Sequence, residues 1–466
     1  MMTAVLLHQL RDNLRSLRFQ TSLIVLLMFF VGNGIIYAHK MDRVAQEAEL
    51  ATHSDESRYE GAETLRQAVS ANYKIRAPEA GIEFILEAGS DWFPYGMNVS
   101  PESGRFTNLS HARTVNYWMR TFEVMDWGVI VRYVLSFLCI VLSYNAISGE
   151  REGGTLRLVL ANPLSRGQFL MGKFLAHLLT LSVSLMLGSL ISLAILALSG
   201  VLELNGMVAR SYLFFFVGAV FYAALFLLLG MGISAVARTS ATSLVVLIMT
   251  WTALIVVIPQ TSYLIAIRVV EPAGFYFDQL EDFENQFRET MVAEGIAPRQ
   301  PELARVDAYA LEHRYAAKLN ELDGELNQRV RAIEQNNLRQ FSIARGVNLL
   351  SPGFAFQYTV EALLGTGIHR FRTFRDQANQ YRSALREFLR ARDGADPDSP
   401  HLFFVPDFMS DKPLDSSLIP RFHLQPIPLG ERLAAAVVPL SILLLETVLA
   451  FFFAMHALNR SELAAP

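Results

Sequence analysis

Cysteine is almost absent from this sequence, which has one, Cys139, in 466 residues. A single thiol excludes a disulfide framework and a thiolate metal site within one chain. Charge is also scarce, because charged residues make up 18% of the chain against 52% hydrophobic residues, with a mean hydropathy of +0.29. The net charge of −4 and the pI of about 6.2 give no reason to expect a nucleic-acid partner. A bilayer is therefore the expected solvent for part of the chain.

Patterns that mark a catalytic or metal site are also missing. The ten histidines form no H-E-x-x-H motif and no close cluster with acidic residues inside an apolar run, which argues against an intramembrane metalloprotease. Residues 167–173 fit the G-x-x-x-x-G-K frame of a phosphate-binding loop, but Phe174 stands where a Mg²⁺-binding Ser or Thr is needed. We expect no catalytic residue, no metal and no bound cofactor on this chain.

The apolar residues gather in six runs of about twenty, the length that a helix needs to cross roughly 30 Å of hydrocarbon. They lie at about residues 19–38, 127–147, 174–198, 212–236, 243–259 and 433–457, and the fifth ends at Pro259. The first run is too long for a secretory signal and lacks a small-residue cleavage site, so it is interpreted as a retained anchor. The predicted fold class is an all-α polytopic membrane protein with six transmembrane helices.

Lysine and arginine are distributed unevenly among the short connections between these runs. With the N-terminus inside, the cytoplasmic connections hold Arg11, Arg15, Arg18, Arg151, Arg157, Arg166, Lys173, Arg238 and Arg460. The short outer connection at 199–211 holds only Arg210. The positive-inside rule therefore predicts that both termini are cytoplasmic, in a multi-pass protein of the inner (cytoplasmic) membrane.

This orientation places two long segments outside, at 39–126 and 260–432, as two extracytoplasmic domains. The remaining divisions are 1–38 with the first span, 127–259 with the next four, and 433–466 with the last span and a tail. Apolar residues recur at helical steps along 311–333 and 368–388, on either side of a breaker at Ser351-Pro352-Gly353. We expect a mostly helical second domain in which these two amphipathic helices bury their apolar faces against each other.

The segment between the second and third runs, 148–173, is the part of the sequence best suited to contact with a soluble partner. It contains the charged cap Glu150-Arg151-Glu152, two glycines, a predicted amphipathic helix at 155–161 and a second short helix that enters the third run at Lys173. We expect Glu150 and Glu152 to lie in a solvated loop. A short charged helix at the cytoplasmic surface suits docking on a protein that moves, and an ordinary interfacial helix is the alternative.

The same stretch resembles a known family. Residues 150–156 (E-R-E-G-G-T-L), followed by Pro163-Leu164-Ser165-Arg166 and Lys173, are similar to the cytoplasmic signature of ABC-2 permeases related to the nitrous-oxide-reductase maturation permease. Residues 348–356 and 371–382 are similar to the second outer domain of the subgroup with enlarged extracytoplasmic loops. The resemblance implies six spans and a first cytoplasmic loop that couples to a nucleotide-binding subunit. It implies a coupling role for Glu150, Arg151, Glu152, Gly154, Thr155, Leu156, Arg157, Pro163, Ser165 and Arg166.

Two ionisable residues fall inside or near the ends of the apolar runs. Glu446 lies near the middle of the sixth run, where a charge costs roughly 2.5–3.5 kcal/mol on insertion scales. We expect Glu446 to face a helix seam or a dimer interface, as a structural polar pair or with a direct role in transport. Arg132 lies close to the outer end of the second run, where its long side chain can reach the lipid headgroups.

Two functional hypotheses remain open from the sequence. The first is an ABC-2 permease: two such chains, identical or similar, form the pathway, and separate ATPase subunits that hold ATP and Mg²⁺ drive it from the cytoplasm. The second is a membrane scaffold whose outer domains bind an extracytoplasmic partner, with ATP used for mechanical work. An extracytoplasmic protein or lipid is a further expected partner. The sequence does not select a transported substrate.

Overall fold

Among the residues that the structure describes, six helices in the computed structural model are long and apolar enough to cross a bilayer. The structure describes residues 2–77, 81–87, 96–102, 106–110, 125–156, 164–270 and 305–460, with 285, 289 and 293 as isolated positions. Spans 1 to 6 are Leu17–Asp42, Trp127–Glu152, Arg166–Leu198, Gly206–Val236, Ser240–Val269 and Leu429–Arg460. Each predicted apolar run lies inside one of these helices. The all-α polytopic fold class with six spans is therefore confirmed.

The two faces of the span bundle differ in what they carry. One, here called the terminal face, carries the N-terminal helix Met2–Arg15, the connection between spans 2 and 3, the turn between spans 4 and 5, and the end of span 6. The opposite face, here called the loop face, carries both long connections. The helix that contains span 1 runs without interruption from Leu17 to Glu60, so it projects well beyond the loop face.

Spans 2 and 5 each contain a π-helical segment, at Ile130–Leu135 and at Ala253–Val257. In span 5 the helix then continues as Ile258–Val269, so the prediction that this span stops at Pro259 is wrong. A proline inside a helix removes one backbone donor and clashes with the preceding turn. The wide turn immediately before Pro259 changes the hydrogen-bond register there, which lets the helix pass the proline.

Part of the loop face is a small unit built from both long connections. The first connection supplies the helix Leu65–Ser70 and an antiparallel sheet of β1 (Tyr73–Arg76), β2 (Gly96–Val99) and β3 (Phe106–Ser110), in the order β1-β2-β3. The second supplies the helix Gly367–Gly394 and the 3-10 turns Pro406–Phe408 and Ser416–Leu418. Their shared apolar core includes Leu65, Val69, Tyr73, Ile75, Val99, Phe374, Ala378, Tyr381, Leu385 and Leu389.

The two predicted helical stretches of the second connection are helices, and the apolar face of the second packs on a different partner from the one expected. The first lies in Arg305–Asn348, which packs along the outer part of span 5, Ile258–Val269. The second lies in Gly367–Gly394, whose apolar face packs against the first connection instead. The apolar side chains that form the 311–333 stripe lie outside the described residues. For the second stripe the predicted partner is wrong, because a stripe specifies that a face needs a partner and does not specify which partner it finds.

A third helix of this connection, Pro352–Leu364, is here called the wedge helix because it packs among the spans. It contacts spans 4 and 6 most extensively, and the π segments of spans 2 and 5 as well. Ten of its residues are buried. Phe356 stacks on Tyr222 of span 4, with ring centroids 5.1 Å apart, and also contacts Phe215. An apolar helix of 13 residues is too short to span a bilayer. The wedge helix instead occupies the space between spans 2, 4, 5 and 6 on the loop-face side.

A buried ion pair holds the wedge helix to both neighbouring helices of its connection. Glu361 is fully buried, and Arg345 at the end of Arg305–Asn348 donates to both of its carboxylate oxygens at 3.0 and 3.1 Å. The Ile368 amide donates to the same carboxylate at 3.1 Å. Gly365, with φ of +70°, ends the wedge helix in the left-handed conformation that glycine adopts without strain. Three helices therefore meet at Glu361.

Candidate functional site

The predicted coupling segment begins in a short helix at the terminal face, Ser148–Glu152, here called the hub helix. Its first turn is fixed to span 4, since the amides of Ile147 and Ser148 donate to Ser234 Oγ at 3.1 and 3.0 Å. Gly153 follows at the helix end, and Gly154 has φ of +69°, which favours glycine at this sharp exit. The helix therefore presents three successive charged side chains from a fixed position.

Arg151 binds the end of span 4. Its guanidinium donates to the carbonyl oxygen of Ala237 at 2.6 Å and to that of Ala235 at 2.7 Å. The last carbonyls of a helix have no partner within the helix, and they carry partial negative charge. Arg151 satisfies two of them while only 8% exposed itself. It therefore acts as a cap that ties the hub helix to span 4.

Glu150 binds span 3 through Lys173. The Lys173 ammonium donates to Glu150 Oε1 at 2.7 Å and to the Ala146 carbonyl at 2.8 Å. Thr155 Oγ1 also donates to the Glu150 carboxylate. The ammonium is almost fully buried and the carboxylate is about one-quarter exposed. A charged pair in such a place is costly to break, because it leaves a desolvated charge without its partner.

Glu152 binds the start of span 5. Its carboxylate accepts from the Ser240 amide at 3.0 Å and from Ser240 Oγ at 2.5 Å. Span 5 begins at Ser240, and Thr239 caps it by accepting from the Thr242 amide. A carboxylate beside the first amides of a helix is favourable because of the helix dipole. Unlike its two neighbours, Glu152 stays exposed to solvent.

The three charges of the hub helix therefore attach to three different spans. Glu150 attaches to span 3, Arg151 to span 4 and Glu152 to span 5. The expectation that Glu150 and Glu152 lie in a solvated loop is wrong, because both lie in a helix and both bind neighbouring spans. Sequence reasoning missed these partners, which lie 23 residues or more away in the chain.

The other predicted coupling residues have varied positions. Thr155 is exposed and Leu156 is buried, while Arg157 and Pro163 lie outside the described residues. Ser165 caps span 3 in a capping box with Gln168. Arg166 donates to the carbonyls of Leu458 and Asn459 at 2.8 and 2.6 Å, at the end of span 6. Arg166 thus caps span 6 as Arg151 caps span 4.

The stretch that resembles a phosphate-binding loop is helical. Residues 167–173 lie in the first two turns of span 3, Arg166–Leu198. Lys173, the lysine of that pattern, is occupied by Glu150 and Ala146. A phosphate-binding loop needs successive backbone amides that are free to donate to the ligand, so this stretch has a different local structure.

The two ionisable residues singled out in the spans have different surroundings. Arg132, which was expected to reach the headgroups, makes contacts within the protein. It donates to Gln357 of the wedge helix, and its guanidinium lies 4.6 Å from the ring centroid of Phe354. Glu446 is half-buried in span 6, and its Oε2 accepts no hydrogen bond from the described part of the chain. Its predicted role stays a prediction.

A comparison with known protein families assigns the chain. A family described as ABC-2 family transporter protein matches residues 3–463. The chain belongs to this family. It is therefore a membrane-embedded, multi-pass member of the ABC-2 family. The six spans described above agree with that assignment.

Two relatives are similar over a shorter stretch. A probable ABC transporter permease protein NosY of Pseudomonas aeruginosa is 47% identical over 70 residues, which are 15% of this chain and 26% of that protein. The protein of the same description from Stutzerimonas stutzeri is 44% identical over 59 residues, 13% of this chain and 21% of that protein. The match thus spans about a quarter of the length of these relatives.

Proposed function

We propose that this chain is the transmembrane subunit of an ATP-driven ABC-2 transporter that couples ATP hydrolysis on a separate ATPase to export or to work at the loop face. ATP and Mg²⁺ are held by the ATPase, which docks on the segment 148–173. The observation that carries this proposal is the attachment of that segment to spans 3, 4, 5 and 6 through Glu150, Arg151, Glu152 and Arg166. A displacement of the segment is therefore passed to four spans at once.

The terminal face is the cytoplasmic face of the inner membrane in this proposal. Exposed Arg11, Arg15, Arg18 and Arg238 lie at the terminal face, whereas the short loop at the opposite end of spans 3 and 4 is followed by Arg210 alone. This bias supports the orientation with both termini inside. In that orientation a soluble ATPase can reach the hub helix.

The functional unit contains two permease chains, either two copies or this chain with a similar one. Spans 5 and 6 bury only 17% and 22% of their apolar stretches within the chain, which leaves large faces for a second chain or for lipid. Two chains provide docking segments for two ATPase subunits.

Affinity purification of the full chain in mild detergent tests the proposal. We expect an ABC ATPase to copurify, and the complex to hydrolyse ATP at a rate that differs from that of the isolated ATPase. A chain that retains no ATPase under conditions where its own fold is intact would contradict the proposal.

The wedge helix favours a second candidate, a scaffold that transmits force without moving substrate through the spans. It fills the loop-face ends of spans 2, 4, 5 and 6, and its connection shares a core with the first connection. Passage of substrate through the spans requires the wedge helix to separate from span 4. Transmission of force requires the wedge helix and span 4 to move together. A Cβ on Gly218 would lie 3.3 Å from Val360, so a Gly218→Cys, Val360→Cys cross-link joins the two. Oxidation forms this cross-link. If it abolishes the ATP-driven function of the complex, passage of substrate through the spans is supported; if that function is retained, the scaffold is supported.

A further inference from the structure

A cavity of about 520 Å³ opens at the terminal face between the N-terminal helix and the nearby ends of spans 1, 2 and 3. This volume is in the range of small-molecule sites. The polar groups that line it include Asp12, Arg18, Asn145, Glu150, Lys173 and His177. The coupling contacts described above use one side of this cavity only, the Glu150–Lys173 pair.

The deepest donor in the cavity belongs to His177, which is only 4% exposed. Asn13 Nδ2 lies 3.1 Å from His177 Nδ1 and 3.2 Å from Thr180 Oγ1, while Asn13 Oδ1 accepts from Gln9. An amide nitrogen can only donate, so Nδ1 is the acceptor and the neutral ring carries its proton on Nε2. Among the described residues, no hydrogen-bond partner meets that Nε2–H. His177 is part of the cavity lining, so this donor is available to an acceptor bound there.

The cations of the cavity also have unused donors, whereas its carboxylates are occupied. Lys173 makes two hydrogen bonds out of three available to an ammonium. Arg18 lies over the Tyr144 ring, 5.2 Å from its centroid, with no carboxylate partner in the described part of the chain. Glu150 is held by Lys173 and Thr155, and Asp12 by His8 at 2.9 Å. The two cations and the two carboxylates of the lining balance in charge, but the unused hydrogen-bonding groups of Arg18 and Lys173 are all donors, which suits the oxygens of a phosphate group.

The surroundings of the cavity identify the source of that phosphate. The N-terminal helix and the first residue of span 1 expose the apolar side chains Leu7, Leu14 and Leu17 at 66%, 54% and 75%. Exposed Arg11 and Arg15 lie on the same helix. Apolar and basic residues together on a short surface helix are typical of a helix at the membrane interface, near anionic headgroups. The N-terminal helix also lines the cavity, so a helix at the interface brings the cavity next to the headgroups.

We propose that this cavity binds the phosphate group of a phospholipid from the leaflet at the terminal face. Arg18 receives the phosphate at the mouth, and Lys173 and His177 donate to it from the floor. The bound lipid lies between the N-terminal helix and the Glu150–Lys173 pair, so its headgroup is a structural partner of the coupling segment.

The thermal unfolding of the purified full chain in mild detergent tests this site. Three probes are compared: short-chain phosphatidylglycerol, dioctanoylglycerol, which lacks the phosphate, and inorganic phosphate. Only phosphatidylglycerol is expected to raise the unfolding temperature, because a ligand stabilises the state that it binds. In Arg18→Gln its affinity is expected to fall about fivefold, the effect of one arginine near a headgroup. Arg11→Gln removes the same charge outside the cavity and is the matched control.

Each alternative outcome has a definite meaning. Equal stabilisation by dioctanoylglycerol, or equal loss of affinity in Arg18→Gln and Arg11→Gln, would overturn the phosphate site. Equal stabilisation by inorganic phosphate that is lost in Arg18→Gln would overturn the lipid as its source. Arg18 is exposed, so its replacement leaves the fold intact. The changes in unfolding temperature can therefore be attributed to ligand binding.

Discussion

The Arg151 guanidinium donates a hydrogen bond of 2.6 Å to the Ala237 carbonyl, at the point where span 4 ends. The same side chain donates to Ala235, so one cation caps two carbonyls. In Arg151 two different guanidinium nitrogens each reach one carbonyl, and the shorter lysine side chain of Arg151→Lys lacks this planar fork and cannot reproduce the geometry of both bonds. We expect the free energy of unfolding to fall by about 1–3 kcal/mol, measured as a lower unfolding temperature of the detergent-solubilised chain. Arg238→Lys, at an exposed position one residue beyond the cap, is expected to change nothing.

Charge reversal in the hub helix tests the coupling role. Glu152→Lys places a cation beside the first amides of span 5, where the helix dipole is positive, and Glu150→Lys places one beside Lys173. Both changes displace the segment from its spans. We expect less ATPase subunit to be retained on affinity purification, with the amount of membrane-inserted chain unchanged. Glu203→Lys, exposed at the loop face, is the control. Equal retention in all three variants would refute a coupling role for the hub helix.

The first turn of the wedge helix has no room for a side chain at Gly353. An added Cβ would lie 2.8 Å from Arg132 Cγ and 3.0 Å from Ile255 Cδ1. Arg132 cannot move away freely, because Gln357 and two aromatic rings hold it. We expect Gly353→Ala to lower the free energy of unfolding by about 1–3 kcal/mol through overpacking.

Gly346→Ala is the control for that change. Gly346 lies inside the helix Arg305–Asn348, and an added Cβ there meets nothing within 4 Å. The substitution is expected to stabilise the chain by about 0.5–1 kcal/mol, the difference in helix propensity. Thermal unfolding of both variants in one detergent provides the comparison, and a stable Gly353→Ala variant would show that the wedge helix is loosely packed.

Asp396 in the loop-face unit predicts a pH dependence of stability. Hydrogen bonds from Lys412 at 2.5 Å and Ser410 at 2.6 Å lower the pKa of Asp396 from 3.8 to about 2. A carboxylate with a lowered pKa in the folded state stabilises the fold above its unfolded pKa, and the contribution disappears as the pH falls through the folded value. Asp396→Asn should therefore unfold more easily than the original chain at neutral pH. The difference should shrink below pH 3.8 and be absent near 2.

Thiol labelling tests the orientation of the membrane protein with little background, because Cys139 is fully buried. Ser417 is exposed in the loop-face unit, and Arg238 is exposed at the terminal face. An impermeant maleimide should label Ser417→Cys in intact cells and Arg238→Cys only after permeabilisation. The reverse result would invert the proposed topology.

The positions of the spans could be predicted from the sequence because their signal is local. About twenty consecutive apolar residues are enough to identify a transmembrane helix. The charged cap at 150–152 was also visible, since its residues are adjacent in the chain. Its contacts were not, because Arg151 binds residues 84 and 86 positions away. Pairing over such distances depends on how the spans pack, which periodicity does not determine.

The wedge helix is a second element whose packing could not be predicted from the sequence. Ser351-Pro352-Gly353 is a break as predicted, but the sequence prediction places the apolar stretch that follows in an outer domain as a whole. With 13 residues it is too short for the signal of a span. The available clue in the sequence was the high content of apolar residues in this stretch. Three-dimensional packing against Gly218 and Tyr222 of span 4 decides its place.

The uninterrupted helix from Leu17 to Glu60 has a mechanical consequence. Its 44 residues form a rod of about 66 Å. Asn33, which accepts from Ser192 of span 3 and donates to the Met125 carbonyl, holds the rod about 24 Å from its first residue and about 40 Å from its last. With a pivot at that contact, the rod is an unequal lever. A shift of the N-terminal end produces a displacement about 1.7 times larger, in the opposite direction, at the far end beyond the loop face.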